Sequence, residues 1–111
     1  MEKFNKKKRK VYDKNNLKLE RSEIQNFLKK TNNWNVKSNN NKNYYLEKQF
    51  KFKNFIESQK FITKVGSIAE IESHHPDILF GWGYAKIKIF THVIKGLTES
   101  DFILAAKIDQ I

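Results

Sequence analysis

The sequence predicts an α+β domain: a four-stranded, largely antiparallel sheet with about three helices packed on one face, in the order α-β-β-α-β-β-α. Three observations predict it. Apolar residues recur in alternating segments at two periods, near 3.6 and near 2. The links between the paired strand segments are short enough for hairpins. The longest helical segment stands between the two hairpins, where it supplies the crossover.

Taken in order, Ser22-Glu23-Ile24-Gln25 has the spacing of a capping box, and Ile24, Phe27 and Leu28 follow as an apolar stripe, so a first helix is expected from about Glu23 to Lys30. Trp34-Asn35-Val36 begins a short strand, Asn39-Asn40-Asn41 turns the chain, and Tyr44, Leu46, Lys48, Phe50 and Phe52 alternate along a second strand. From Asn54 the period changes. Phe55, Ile62, Val65 and Ala69 share a helical face, flanked by Phe61 and Ile68, through about Glu72. Pro76 cannot continue that helix and disfavours helical geometry at His75, so the chain must turn at the paired histidines. A strand of about five residues then reaches Trp82. Tyr84 to Thr91 forms the fourth strand, with Gly81 and Gly83 allowing a bend or bulge between the two. Thr98 and Asp101 stand at capping-box spacing, and Phe102, Ala105, Ala106 and Ile108 carry a last helix to the terminus. The helical spacing of Phe55, Phe61 and Phe102 assigns these rings to the core.

A chain of 111 residues suits one small domain. Such a domain buries only part of its apolar surface, so a homodimer or homotetramer is expected. The formal charge of +10 looks like a nucleic-acid signature until it is located. Met1 to Asn16 holds seven Lys/Arg against Glu2 and Asp13, a net +5, with Lys6 to Lys10 an unbroken basic run. Residues 1–16 therefore read as a basic, disordered tail ahead of a single domain at 17–111, and half of the charge excess argues nothing about the domain itself. Nucleic acid is not the expected partner. No window has the apolar length of a membrane span, the N-terminus lacks the apolar centre of a secretory signal, and the absence of cysteine rules out a disulfide framework. A cytoplasmic or nuclear location is expected.

All three histidines, His74, His75 and His92, fall within nineteen residues, and no cysteine or glycine-rich phosphate loop competes with them. Imidazole is the side chain whose ordinary pKa lies nearest neutral, so proton chemistry is expected here. A metal centre built on these histidines with Asp77 or Asp101 is disfavoured, because adjacent histidines rarely aim at one ion and HExxH spacing is missing.

The ordered set Glu70-x-x-x-His74-His75-Pro76-Asp77, then Thr91-His92, then Gly96-Leu97-Thr98-Glu99-Ser100-Asp101 resembles the pterin-4a-carbinolamine dehydratases. The likeness extends upstream through Trp34, Phe50-Lys51-Phe52, Phe55, Phe61 and Val65, and covers Leu17 to Asp109. It implies a 4a-hydroxytetrahydrobiopterin dehydratase, which eliminates water from 4a-hydroxytetrahydropterin to give quinonoid dihydropterin and so recycles the cofactor of aromatic amino-acid hydroxylases. The pterin is then the substrate, and no cofactor or metal is needed. By the same resemblance His74 and His92 would be the proton-transfer pair, His75 would orient the pterin or share the acid role, and Asp101 would set a histidine's tautomer or charge. Glu70 would line the substrate site and Pro76 would shape its turn; Trp82, flanked by Gly81 and Gly83 and close to the paired histidines in sequence, is expected to line the site as a flat apolar ring. Val93-Ile94-Lys95 departs from the family pattern, which there begins with an acidic or amide residue and contains small ones, so a hydrogen-bonding group beside His92 is expected to be missing. Some members of the family also serve as dimerisation cofactors for a homeodomain transcription factor, which makes a binding module without enzymatic role the alternative.

Overall fold

A computed structural model describes residues 17–111, so the basic N-terminal tail lies outside the described residues. Helices α1 (Arg21–Leu28), α2 (Phe55–Glu72) and α3 (Glu99–Ile108) alternate with strands β1 (Asn35–Ser38), β2 (Tyr44–Lys51), β3 (Asp77–Gly81) and β4 (Tyr84–Ile89) in the expected order. The four strands form one sheet in the order β1-β2-β4-β3, antiparallel at every pairing. β2 and β4 are therefore central, and α2 carries the chain from one to the other edge.

Strand periodicity decides which side chains meet the helices. Leu46 of β2 stands opposite Ile89, Phe50 opposite Ala85, and Ile78 and Phe80 of β3 opposite Ile87 and Ala85. Leu46, Ala85, Ile87 and Ile89 have no exposed surface. They meet Val65 of α2 and Phe102, Leu104 and Ile108 of α3 in one core. The other face of the sheet, with Tyr45, Glu47, Lys86, Lys88 and Leu79, carries no helix among the described residues, and Leu79 is exposed.

Three details differ from the sequence reading. α1 starts two residues early, because Glu20 and Glu23 form the capping box in place of Ser22 and Gln25, with the Glu20 N–H donating to Glu23 Oε1 at 2.9 Å. Both pairs have the same spacing; the choice of Glu20 leaves Ile24 as the buried residue of the helix. On α2 the buried stripe is Ser58, Phe61, Val65, Ala69 and Glu72, rotated from the expected face. Phe61 is sandwiched by Phe50 and Phe52 at centroid distances of 4.6 and 5.0 Å, whereas Phe55 lies at the margin, 43% exposed, against Phe80. Between β3 and β4 the chain makes a two-residue turn, not a bulge, with Gly83 at φ 79°. A Cβ there would meet the Phe52 carbonyl at 3.2 Å, the same region in which the Phe52 N–H donates to the Gly83 carbonyl.

A polar clamp closes the far side of the core. Asp109, just beyond α3, accepts from Trp34 Nε1 at 3.0 and 3.1 Å and from Lys48 Nζ at 2.8 Å, and Lys48 also donates to the Asn32 carbonyl. This explains how Lys48, on the helix-facing side of β2, is accommodated.

Candidate functional site

Three segments meet at one end of the sheet: the turn after α2, the loop after β4 and the N-terminus of α3. α2 ends because Ser73 adopts the left-handed conformation (φ 53°, ψ 39°), after which the His74 N–H closes the helix on the Ala69 carbonyl at 3.1 Å. Pro76 then prevents any continuation. The loop after β4 is closed by paired contacts between Thr91 and Gly96, and Lys95, also left-handed (φ 56°), donates to the Thr91 carbonyl at 2.9 Å.

Asp101 is the centre of the arrangement and is wholly buried. One oxygen, Oδ1, lies 2.5 Å from His74 Nε2. The other accepts from the Thr98 N–H at 2.8 Å and from Thr91 Oγ1 at 2.9 Å, while the Thr98 hydroxyl lies 3.0 Å from that of Thr91. The capping role and the histidine role thus coincide in one carboxylate. Its first duty comes from the helix N-terminus, where a carboxylate at the third position satisfies an orphan N–H. Burial and the fixed donors then hold the free oxygen toward His74. That imidazole is itself buried, with 5% of its surface exposed. Lys107 of α3 braces the same region by donating to Glu72 at the end of α2, at 2.5 Å, with both groups largely buried.

The other expected residues are distributed differently. His75 is exposed and its Nε2 meets Glu70, one turn back on α2 and also exposed. His92 is exposed on the loop adjoining Thr91, and its ring packs on Phe90 at 4.2 Å between centroids. No hydrogen bond or ring contact among the described residues joins His92 to His74 or His75; the link between the two segments runs through Asp101. Val93, beside His92, is 94% exposed and brings no polar side chain to it. Trp82 is not brought to this end at all. It sits, 71% exposed, in the turn at the opposite end of β3, roughly 16 Å of strand from Pro76. Closeness in sequence to the histidines misleads here, because an intervening strand runs directly away from them.

Sequence reasoning passed over two members of the cluster, Thr91 and Thr98, as donors to Asp101. The signal was present in the Thr-His and Gly-Leu-Thr strings but not its meaning, since the donors lie ten and three residues from the carboxylate. The Lys107–Glu72 pair had no local signal, being 35 residues apart.

The site is thus that of a small α+β domain in which a buried carboxylate fixes one imidazole and two more are exposed on adjoining loops. The chain belongs to the pterin 4 alpha carbinolamine dehydratase family, which it matches over residues 17–111. A relative from Rubrobacter xylanophilus, provisionally named a pterin-4-alpha-carbinolamine dehydratase, is 44% identical over 93 residues, covering 84% of this chain and 83% of its own. One from Rickettsia bellii, provisionally named likewise, is 47% identical over 92 residues, covering 82% of this chain and 78% of its own. Among solved structures, a transcriptional coactivator/pterin dehydratase from Brucella melitensis superposes with a TM-score of 0.75 at 26% identity, over 85% of this chain and 97% of that one. A pterin dehydratase-like RuBisCO assembly factor of the alpha-carboxysome shares the fold, with a TM-score of 0.60 at 22% identity over 71% of this chain and 88% of its own.

Proposed function

We propose that this chain dehydrates 4a-hydroxytetrahydropterin to quinonoid dihydropterin and water by histidine acid-base catalysis. In that elimination the C4a–O bond breaks with its electron pair, N5 loses its proton, and the C4a=N5 double bond forms. One group must protonate the departing hydroxyl and another must accept the N5 proton. In this reading His74 is the donor, with the Asp101 carboxylate as countercharge to its imidazolium, and His92 is the acceptor. His75, with Glu70, orients the ring at the mouth of the site, and Pro76 shapes the turn.

The observation that carries the reading is the convergence of the His74 turn and the His92 loop on one buried carboxylate, through His74 Nε2 and Thr91 Oγ1. A structural cap alone does not require an imidazole 27 residues away in sequence. Stopped-flow decay of the 4a-carbinolamine tests it. His74→Ala and His92→Ala should each slow decay by about 10²-fold or more, while His75→Ala should mainly raise KM. Decay at the buffer rate with the wild-type chain refutes the enzymatic reading.

The alternative of a binding module draws on a different surface. A groove of about 590 Å³ runs between α2 and the end of α3, past Thr63, Ser67, Ile68, Lys107 and Ile111. A second copy of the chain seated there would give the expected dimer or tetramer, and sedimentation at micromolar concentration distinguishes those states from a monomer.

A further inference from the structure

A recess of about 250 Å³ opens beside His92, on the face of the sheet opposite the three described helices, and none of the roles above uses it. Asn39, Tyr45, Lys88, Phe90 and Lys95 contribute to its lining, which contains no carboxylate. It is joined to His92 twice. Phe90 packs on the His92 ring, and Lys95 closes the same tight turn, its N–H on the His92 carbonyl at 3.3 Å. Its far wall is the β1–β2 turn, which Asn39 stiffens by accepting the N–H groups of Asn41 and Asn43 at 2.9 and 3.0 Å.

The recess is aromatic and cationic together. The Lys88 ammonium stands 4.2 Å from the centroid of Tyr45 and 5.6 Å from that of Phe90. Glu47 and Asp77 flank Lys88 across the sheet, but Glu47 is held by Lys37 at 2.6 Å. Neither Lys88 nor Lys95 makes an ion pair among the described residues. Such a pocket favours a flat ring that carries negative charge, since the ring packs on Tyr45 and Phe90 while the anion meets the two ammonium groups.

The chemistry of the pterin connects this recess to the reaction. C6 is bonded to N5, so a substituent on C6 leaves the ring system beside whichever group accepts the N5 proton. We infer that the recess holds the C6 substituent of the pterin and selects one made of an aromatic ring ending in a carboxylate. This rests on the dehydratase reading with His92 at N5.

Fluorescence titration of the full chain with pteroate and with 6-methylpterin tests it, in the wild type, Lys88→Met and Lys95→Asn. Asn is chosen at 95 because it tolerates the left-handed backbone there. The wild type should bind pteroate about tenfold more tightly, and each substitution should reduce that preference to about threefold or less. Equal affinity for the two pterins, or a preference unchanged in both variants, overturns the inference. The dehydratase reading would then still stand if the chain accelerates decay of the 6-methyl carbinolamine. If neither pterin binds and decay is not accelerated, both fall.

Discussion

Thr91→Val separates the buried hydroxyl from everything else that residue does. Valine keeps the shape and the β-branching at the end of β4 while removing one donor to Asp101. In the native arrangement Asp101 Oδ2 has two close donors, the Thr98 N–H at 2.8 Å and Thr91 Oγ1 at 2.9 Å; the Thr98 hydroxyl is farther, at 3.4 Å. A hydrogen bond to a charged group contributes about 1.5–3 kcal/mol, and a wholly buried carboxylate cannot recover the loss from water. The Thr98 hydroxyl can turn toward Oδ2 and offset part of it, so the expected net cost is about 2 kcal/mol. For a domain of this size that lowers the midpoint by roughly 10 °C. Thermal unfolding followed by circular dichroism reads the shift directly. Thr91→Ser keeps the hydroxyl and should lie within about 1 kcal/mol of the wild type. A Val variant as stable as the wild type, or a Ser variant as weak as Val, would refute the view that the hydroxyl bond to Asp101 is what Thr91 contributes.

Asp109→Ala should cost about 2–4 kcal/mol in urea unfolding, because it strips Trp34 Nε1 of its acceptor and leaves the largely buried Lys48 without its carboxylate; a loss below about 0.5 kcal/mol would show the clamp to be solvated. Lys42→Gly should stabilise the chain by about 0.5–1 kcal/mol, since residue 42 holds φ 60° in the β1–β2 turn and glycine takes that conformation without a Cβ penalty. A lowered urea midpoint for that variant would contradict it.

Much of the architecture was legible because it is written locally. The change from period 2 to period 3.6 at Asn54 marks the start of α2, whose N-cap is that asparagine, accepting from the Glu57 N–H at 3.0 Å. Thr98 and Asp101 announce the start of α3 through the geometry of one helical turn. Pro76 marks the turn at the paired histidines by removing a donor and restricting its neighbour. Residue preference pointed to Ser22–Gln25 as the capping box of α1, but Glu20–Glu23 has the same spacing and forms it, and burial of Ile24 is what goes with that choice.

The sequence by itself determined the order of elements, the family and the identity of the imidazoles, because these depend on residue type and on spacing within a few turns or strands. Tertiary structure alone decided that Asp101 serves both a helix N-terminus and His74, that Thr91 completes that contact, and that Trp82 stands a strand's length from the histidines. Those outcomes depend on which faces of separate elements meet. Sheet pairing and helix packing fix that meeting, over separations in which the spacing of residues along the chain carries no distance in space.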